Sequence, residues 1–100
     1  MAINTVDQAV ISQGLIAAAH EMGVKLVRSA YSPVVREAND CAAALLDRFG
    51  NVGAQAELNP MQLGSLGVTF APCAKLFPTD TLVEGDFYIN NDPFEGGQHL

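Results

Sequence analysis

The chain has 100 residues, 49% of them hydrophobic and 16% charged, with a net charge of −6 and only five basic residues. That balance, with no basic cluster, argues against a partner recognised through its phosphate backbone, so nucleic acid is excluded as an expected ligand. No uninterrupted apolar run approaches the roughly 20 residues that span a membrane, and Met1-Ala2-Ile3-Asn4-Thr5 lacks the basic and then apolar regions of a secretory signal, so a cytoplasmic protein with no membrane partner is expected.

Thr5 with Gln8 three residues on forms a capping-box pattern. Val6, Val10, Gly14, Ala17 or Ala18, and Met22 then recur at helical spacing toward Leu26 and Ala30, which predicts one helix over residues 6–30. Gly14 and Ala17 to Ala19 fall on its expected buried stripe, where small side chains let another element come close. Tyr31-Ser32-Pro33 ends the helix, because a proline pushes the residue before it toward extended geometry. His20 has no second histidine, cysteine or carboxylate at metal-ligand spacing and reads as a solvated or packed side chain.

Cys41 to Leu46 is an apolar run of strand length and Val52 to Ala56 a second, with Asp47-Arg48-Phe49-Gly50-Asn51 supplying turn residues between them. A hairpin over residues 41–56 follows, closed by Gly50 in the left-handed conformation and initiated by Asp47. Cys41 and Cys73 are too far apart for a CxxC motif and too few for a disulfide scaffold, and both are expected to be buried thiols. Residues 57–67 read as loop. From Gly67 to Phe77 the pattern is apolar and helix-like, with Pro72 requiring that a helix start near it or kink there. Glu84-Gly85-Asp86 reads as a turn, and Phe87-Tyr88-Ile89 as a strand delivering the loop that follows.

That loop, Asn90-Asn91-Asp92-Pro93-Phe94-Glu95-Gly96-Gly97-Gln98-His99-Leu100, places a carboxylate, two adjacent glycines and an imidazole in one non-helical segment. Glycines let a backbone approach a ligand closely, which makes Asn91, Gly96 and Gly97 the candidate substrate-binding positions. His99 can bind a divalent metal through a neutral ring nitrogen. Asp92 is the candidate catalytic residue, orienting a ligand or water, with capping of the Asp-Pro turn as the alternative.

Arg28-Ser29-Ala30-Tyr31-Ser32-Pro33, Arg36-Glu37, Asp40, Ala44-Leu45-Leu46-Asp47, Gly50-Asn51 with Ala54-Gln55-Ala56, Leu63-Gly64-Ser65 and Gly85-Asp86 stand in order ahead of Asn91-Asp92-Pro93, Gly96-Gly97 and His99-Leu100. In order and spacing they resemble the start of the hydantoinase B/oxoprolinase family. The chain departs from the family's usual pattern at Cys41, Ala43 and Gln62, where phenylalanine, cysteine and histidine respectively are common.

The resemblance implies an α+β fold in which a long N-terminal helix is followed by a β-hairpin and further strand and loop elements. Residues 1–100 would then be the N-terminal portion of one larger mixed α/β catalytic subunit. A hydrophobic fraction of 49% is rich for a free-standing domain of this length and fits that expectation. The resemblance also implies that His99 is the first of three ligands to manganese, zinc or iron, with the others beyond Leu100. It implies a hetero-oligomer in which a hydantoinase A-type subunit uses ATP and Mg to phosphorylate a small cyclic amide, and this subunit opens the activated ring. No Walker-type glycine loop occurs in the chain, so ATP chemistry is expected elsewhere. The alternatives are a subunit of an ATP-dependent ketone carboxylase of the acetone or acetophenone type, and a non-catalytic docking segment.

Overall fold

The computed structural model describes residues 2–60 and 64–97. Helix α1 spans Thr5–Ser29 and is followed by a single turn, α2, at Pro33–Arg36. Strands β1 (Ala44–Leu46) and β2 (Val52–Gln55) form an antiparallel hairpin, and helix α3 covers Leu66–Leu76. Two 3-10 turns, Thr79–Thr81 and Pro93–Glu95, lie in the segment after α3. The architecture is α+β, as expected.

Helix α1 begins one residue earlier than the capping-box pattern predicts. Asn4 is the N-cap, its side chain accepting from the Asp7 N–H at 2.8 Å, and Thr5 is already helical. Asparagine is among the strongest N-cap residues, and Asp7 in the first turn meets the positive end of the helix dipole. The C-terminal end falls one residue before the predicted 30, Ala30 being already extended, and Pro33 opens α2 where its missing N–H costs nothing.

The close approach to α1 is made at Ala19 and Gly23, not at Gly14. A Cβ on Gly23 would stand 2.9 Å from the Ala56 Cβ and 3.0 Å from Leu58 Cδ1, so the absent side chain lets the hairpin sit against the helix. The buried hydrophobic residues are accordingly small: Ala19, Cys41, Ala43, Ala54 and Ala56. Gly14 instead shares a face with Asp7, Glu21, Lys25 and Arg28, at steps of seven and four residues, and a Cβ there would touch nothing within 4 Å. Gly14→Ala in the full-length protein should therefore stabilise by about 0.5–1 kcal/mol, the helix-interior difference between the two residues. Denaturant unfolding measures this, and a destabilised variant would show that another element packs on that face.

Strand pairing runs Ala44 to Gln55, Leu45 to Ala54 and Leu46 to Val52, with an irregularity between Leu45 and Leu46. The strands are shorter than the predicted 41–46 and 52–56, and single backbone bonds carry the contact outward from them, from Ala56 N–H to Ala43 O (2.9 Å) and from Asn59 N–H to Cys41 O (3.2 Å). Gly50 has φ +90°, as its turn requires, and packs on Phe70 of α3. Asp47 closes the turn by accepting from the N–H of Phe49 and Asn51 and from the Asn51 side chain.

Those bonds, the Asn51 side chain first, hold the Asp47 carboxyl below the usual carboxylate range. A carboxyl lowered in the folded state contributes stability above its unfolded pKa of about 3.9 and loses it as pH falls through the lower folded value. An NMR titration of Asp47 should show that lowered midpoint, and Asn51→Ala should move it upward. An unmoved midpoint would assign the turn to backbone conformation alone.

Helix α3 starts at Leu66, within what reads locally as loop, and passes through Pro72 without ending. Cys73 is half-buried, whereas Cys41 is buried as predicted; burial, and then the adjacent Asp40, push the Cys41 thiol's pKa up and keep it protonated. Phe87-Tyr88-Ile89 belongs to no strand among the described residues. The accessible surface, 7813 Å², exceeds the roughly 5,500 Å² of a folded monomer of this mass. Val6, Val10, Ile11, Phe77, Phe87 and Ile89 are among the large apolar side chains that remain more than half exposed. No helix among the described residues is long and apolar enough to cross a membrane.

Candidate functional site

The loop from Asn90 to Gly97 is closed by its own side chains. Asn90 Oδ1 accepts from the Asp92 N–H at 2.8 Å, and Asn90 Nδ2 donates to Glu95 O at 2.9 Å, so one asparagine ties both ends of the Pro93–Glu95 turn. Asp92 Oδ1 caps that turn by accepting from Phe94 N–H at 2.9 Å, while the Asp92 carbonyl accepts from Glu95 N–H (3.1 Å) and Gly97 N–H (2.8 Å). The turn-capping role of Asp92 is thus present. Its second carboxylate oxygen makes no hydrogen bond among the described residues and remains able to orient a ligand.

The two glycines fit this closure. Gly96 has φ +87°, a left-handed conformation that other residues adopt at a cost. A Cβ there would stand 2.9 Å from Val68 O and 3.0 Å from the backbone of Thr69, so the loop lies directly on α3. Val68 is also the residue whose carbonyl loses its helical partner to Pro72, which has no N–H. Thr69 Oγ1 lies 2.7 Å from Gly96 O and 2.9 Å from Ser65 O, so its single proton is shared between helix and loop. Gly97 is buried, and a Cβ would fall 2.7 Å from Asp92 N and 2.8 Å from Asn91 C. Asn91 is exposed, and its side chain makes no hydrogen bond among the described residues.

Asp92 edges a groove of about 630 Å³ between α3 and the segment after it, whose wall includes Cys73, Leu82, Asp86 and Tyr88. Tyr88 packs its ring 6.1 Å from that of Phe70, and its hydroxyl donates to Phe77 O. Desolvation, then Cys73 and Asp86, push the phenol's pKa up, so it remains a donor. Among the described residues no three histidine, cysteine, aspartate or glutamate side chains converge on a point that could hold a metal ion. His99 and Gln62 lie outside the described residues.

The structure therefore gathers Asn91, Asp92, Gly96 and Gly97 into one hydrogen-bonded turn against α3. It adds two residues that the sequence reading did not single out. Asn90 carried a local signal, an Asx residue two before Asp92, whereas Thr69 carried none, because its contact to Gly96 spans 27 residues.

The sequence profile described as hydantoinase B/oxoprolinase matches residues 4–100. A 5-oxoprolinase of Saccharomyces cerevisiae is 35% identical over 98 residues, covering 98% of this chain and 8% of the yeast protein. Caprolactamase subunit beta of Pseudomonas jessenii is 35% identical over 101 residues, covering 98% of this chain and 17% of that subunit. 5-Oxoprolinase 1 of Arabidopsis thaliana is 30% identical over 97 residues, covering 97% of this chain and 8% of its own length. No solved structure is significantly similar. The chain thus spans less than a fifth of the relatives it matches, and because the profile and these identities cover it nearly from end to end, it belongs to the hydantoinase B/oxoprolinase family.

Proposed function

We propose that this chain is the N-terminal portion of the metal-containing subunit of an ATP-dependent cyclic amide hydrolase. The observation that carries this reading is the match of residues 4–100 to a family whose relatives here are named for two lactams, 5-oxoproline and caprolactam. The name "subunit beta" supports a second subunit, which on this reading is of the hydantoinase A type and consumes ATP. A ring amide is a poor electrophile, and phosphorylation of its oxygen by that partner makes ring opening accessible.

A divalent ion, when bound, would lower the pKa of an attacking water and polarise the oxygen under attack. The described residues offer no ligand set for it, so His99 and residues outside this chain would hold it. Within the chain, Gly96 lets the loop lie on α3 and Gly97 lets it close on Asn91 and Asp92, and on this reading the free oxygen of Asp92 orients a ligand, a substrate N–H or a water.

The full-length subunit, combined with its ATP-binding partner, should open 5-oxoproline, caprolactam or hydantoin with stoichiometric release of ADP. Ring opening of none of these, or equal turnover without ATP, would overturn the proposal. Asp92→Asn isolates the charge from the cap, because the amide oxygen can still accept from Phe94 N–H. Turnover should fall by about 10 to 100-fold with metal content little changed, as for groups that orient a metal's ligands. Unaltered turnover would leave Asp92 as a turn cap only.

A further inference from the structure

Along Phe87 to Asn91 the side chains alternate between exposed and half-buried positions with a period of two, the repeat of a β-strand. Tyr88 faces inward onto Phe70 and Phe77, and Asn90 faces inward onto Glu95. Phe87 and Ile89 face out, 88% and 93% exposed. Among the described residues no hydrogen bond uses the backbone N–H or C=O of Phe87, Tyr88 or Ile89. The residue types favour a sheet, the side-chain repeat is that of a strand, and the ladder is missing.

Natural proteins blunt strand edges that are meant to stay free with lysine, proline or bulges. Residues 87–89 carry none of these and present aromatic and β-branched side chains instead. We infer that Phe87–Ile89 is a docking edge that receives a β-strand from the remainder of the same full-length subunit. Two observations favour that occupant over a second copy. Antiparallel self-pairing centred on Tyr88 would bring Glu84 and Asp86 of one copy to the Asp92 end of the other, like charge against like, on a chain of net charge −6. A three-residue ladder also contributes little of the roughly 1,600 Å² buried in a stable interface between proteins, whereas a strand within one chain needs no such area. Relatives of which this chain spans 8% and 17% have ample length to supply the strand.

Pairing there would hold the start of the Asn90–Gly97 loop alongside α3, since the loop follows the strand directly. Hydrogen exchange on the full-length subunit tests this independently of activity. The amides within Phe87–Ile89 should exchange at least about 100-fold more slowly than in an unstructured peptide, at all protein concentrations and without the ATP-binding subunit. Exchange at the unstructured rate would overturn the inference. So would protection that appears only on self-association, which would assign the edge to a second copy, or only on adding the other subunit.

Discussion

Replacing His99 by alanine in the full-length subunit is expected to abolish bound manganese, zinc or iron and turnover together. The expectation rests on the position of His99, two residues after Gly97 in the stretch that resembles the family's first ligand, and on the ability of a neutral imidazole to complete a mixed nitrogen and oxygen ligand set. A ligand imidazole in a loop supports few apolar contacts, so the variant should unfold at nearly the temperature of the metal-free wild type. Metal content by elemental analysis is the primary readout because it does not depend on knowing the substrate. Full metal occupancy with full turnover would make the imidazole structural and remove His99 from the ligand set.

Gly97→Ala in the same full-length subunit should lower turnover on the order of 100-fold, the scale reached when reacting groups are misplaced by about 1 Å. The added methyl would meet Asp92 N at 2.7 Å and Asn91 C at 2.8 Å, and both are backbone atoms that cannot rotate away. Relief requires opening the turn, which breaks the 2.8 Å bond from Gly97 N–H to Asp92 O and releases the carboxylate from its position at the groove. Gly96→Ala acts on the other side of the loop, through its φ of +87° and the 2.9 Å approach to Val68 O, and should detach the loop from α3. Kinetics of the Gly97→Ala enzyme with protease sensitivity of the loop check the argument. An enzyme of wild-type turnover would mean that the loop does not position the chemistry.

Much of the chain's local geometry was legible without a structure because it depends on neighbours a few residues apart. The long helix and its end at Tyr31-Ser32-Pro33 follow from apolar spacing and proline sterics, and the Asp47 to Asn51 turn follows from an Asx residue and a glycine at the right offset. The displacement of the N-cap from Thr5 to Asn4 is a contest between adjacent good caps, decided by which side chain meets the Asp7 N–H. The Asp-Pro turn, with Asp92 as its cap, was equally local.

Tertiary structure decided which small residues make room for a neighbour. Gly14 and Gly23 both lie in an apolar helix, and only the position of the hairpin selects Gly23. The helix around Pro72 was legible as an apolar, helix-like pattern over residues 67–77, whereas the choice between a start at Pro72 and a helix continuing through it was decided where Gly96 packs over the Val68 carbonyl and Thr69 ties helix to loop across 27 residues. Phe87-Tyr88-Ile89 shows the division most directly. Its aromatic and β-branched composition is a property of the segment itself and was readable, whereas a ladder requires a second strand paired with it, which a sequence pattern cannot supply and the described residues do not provide.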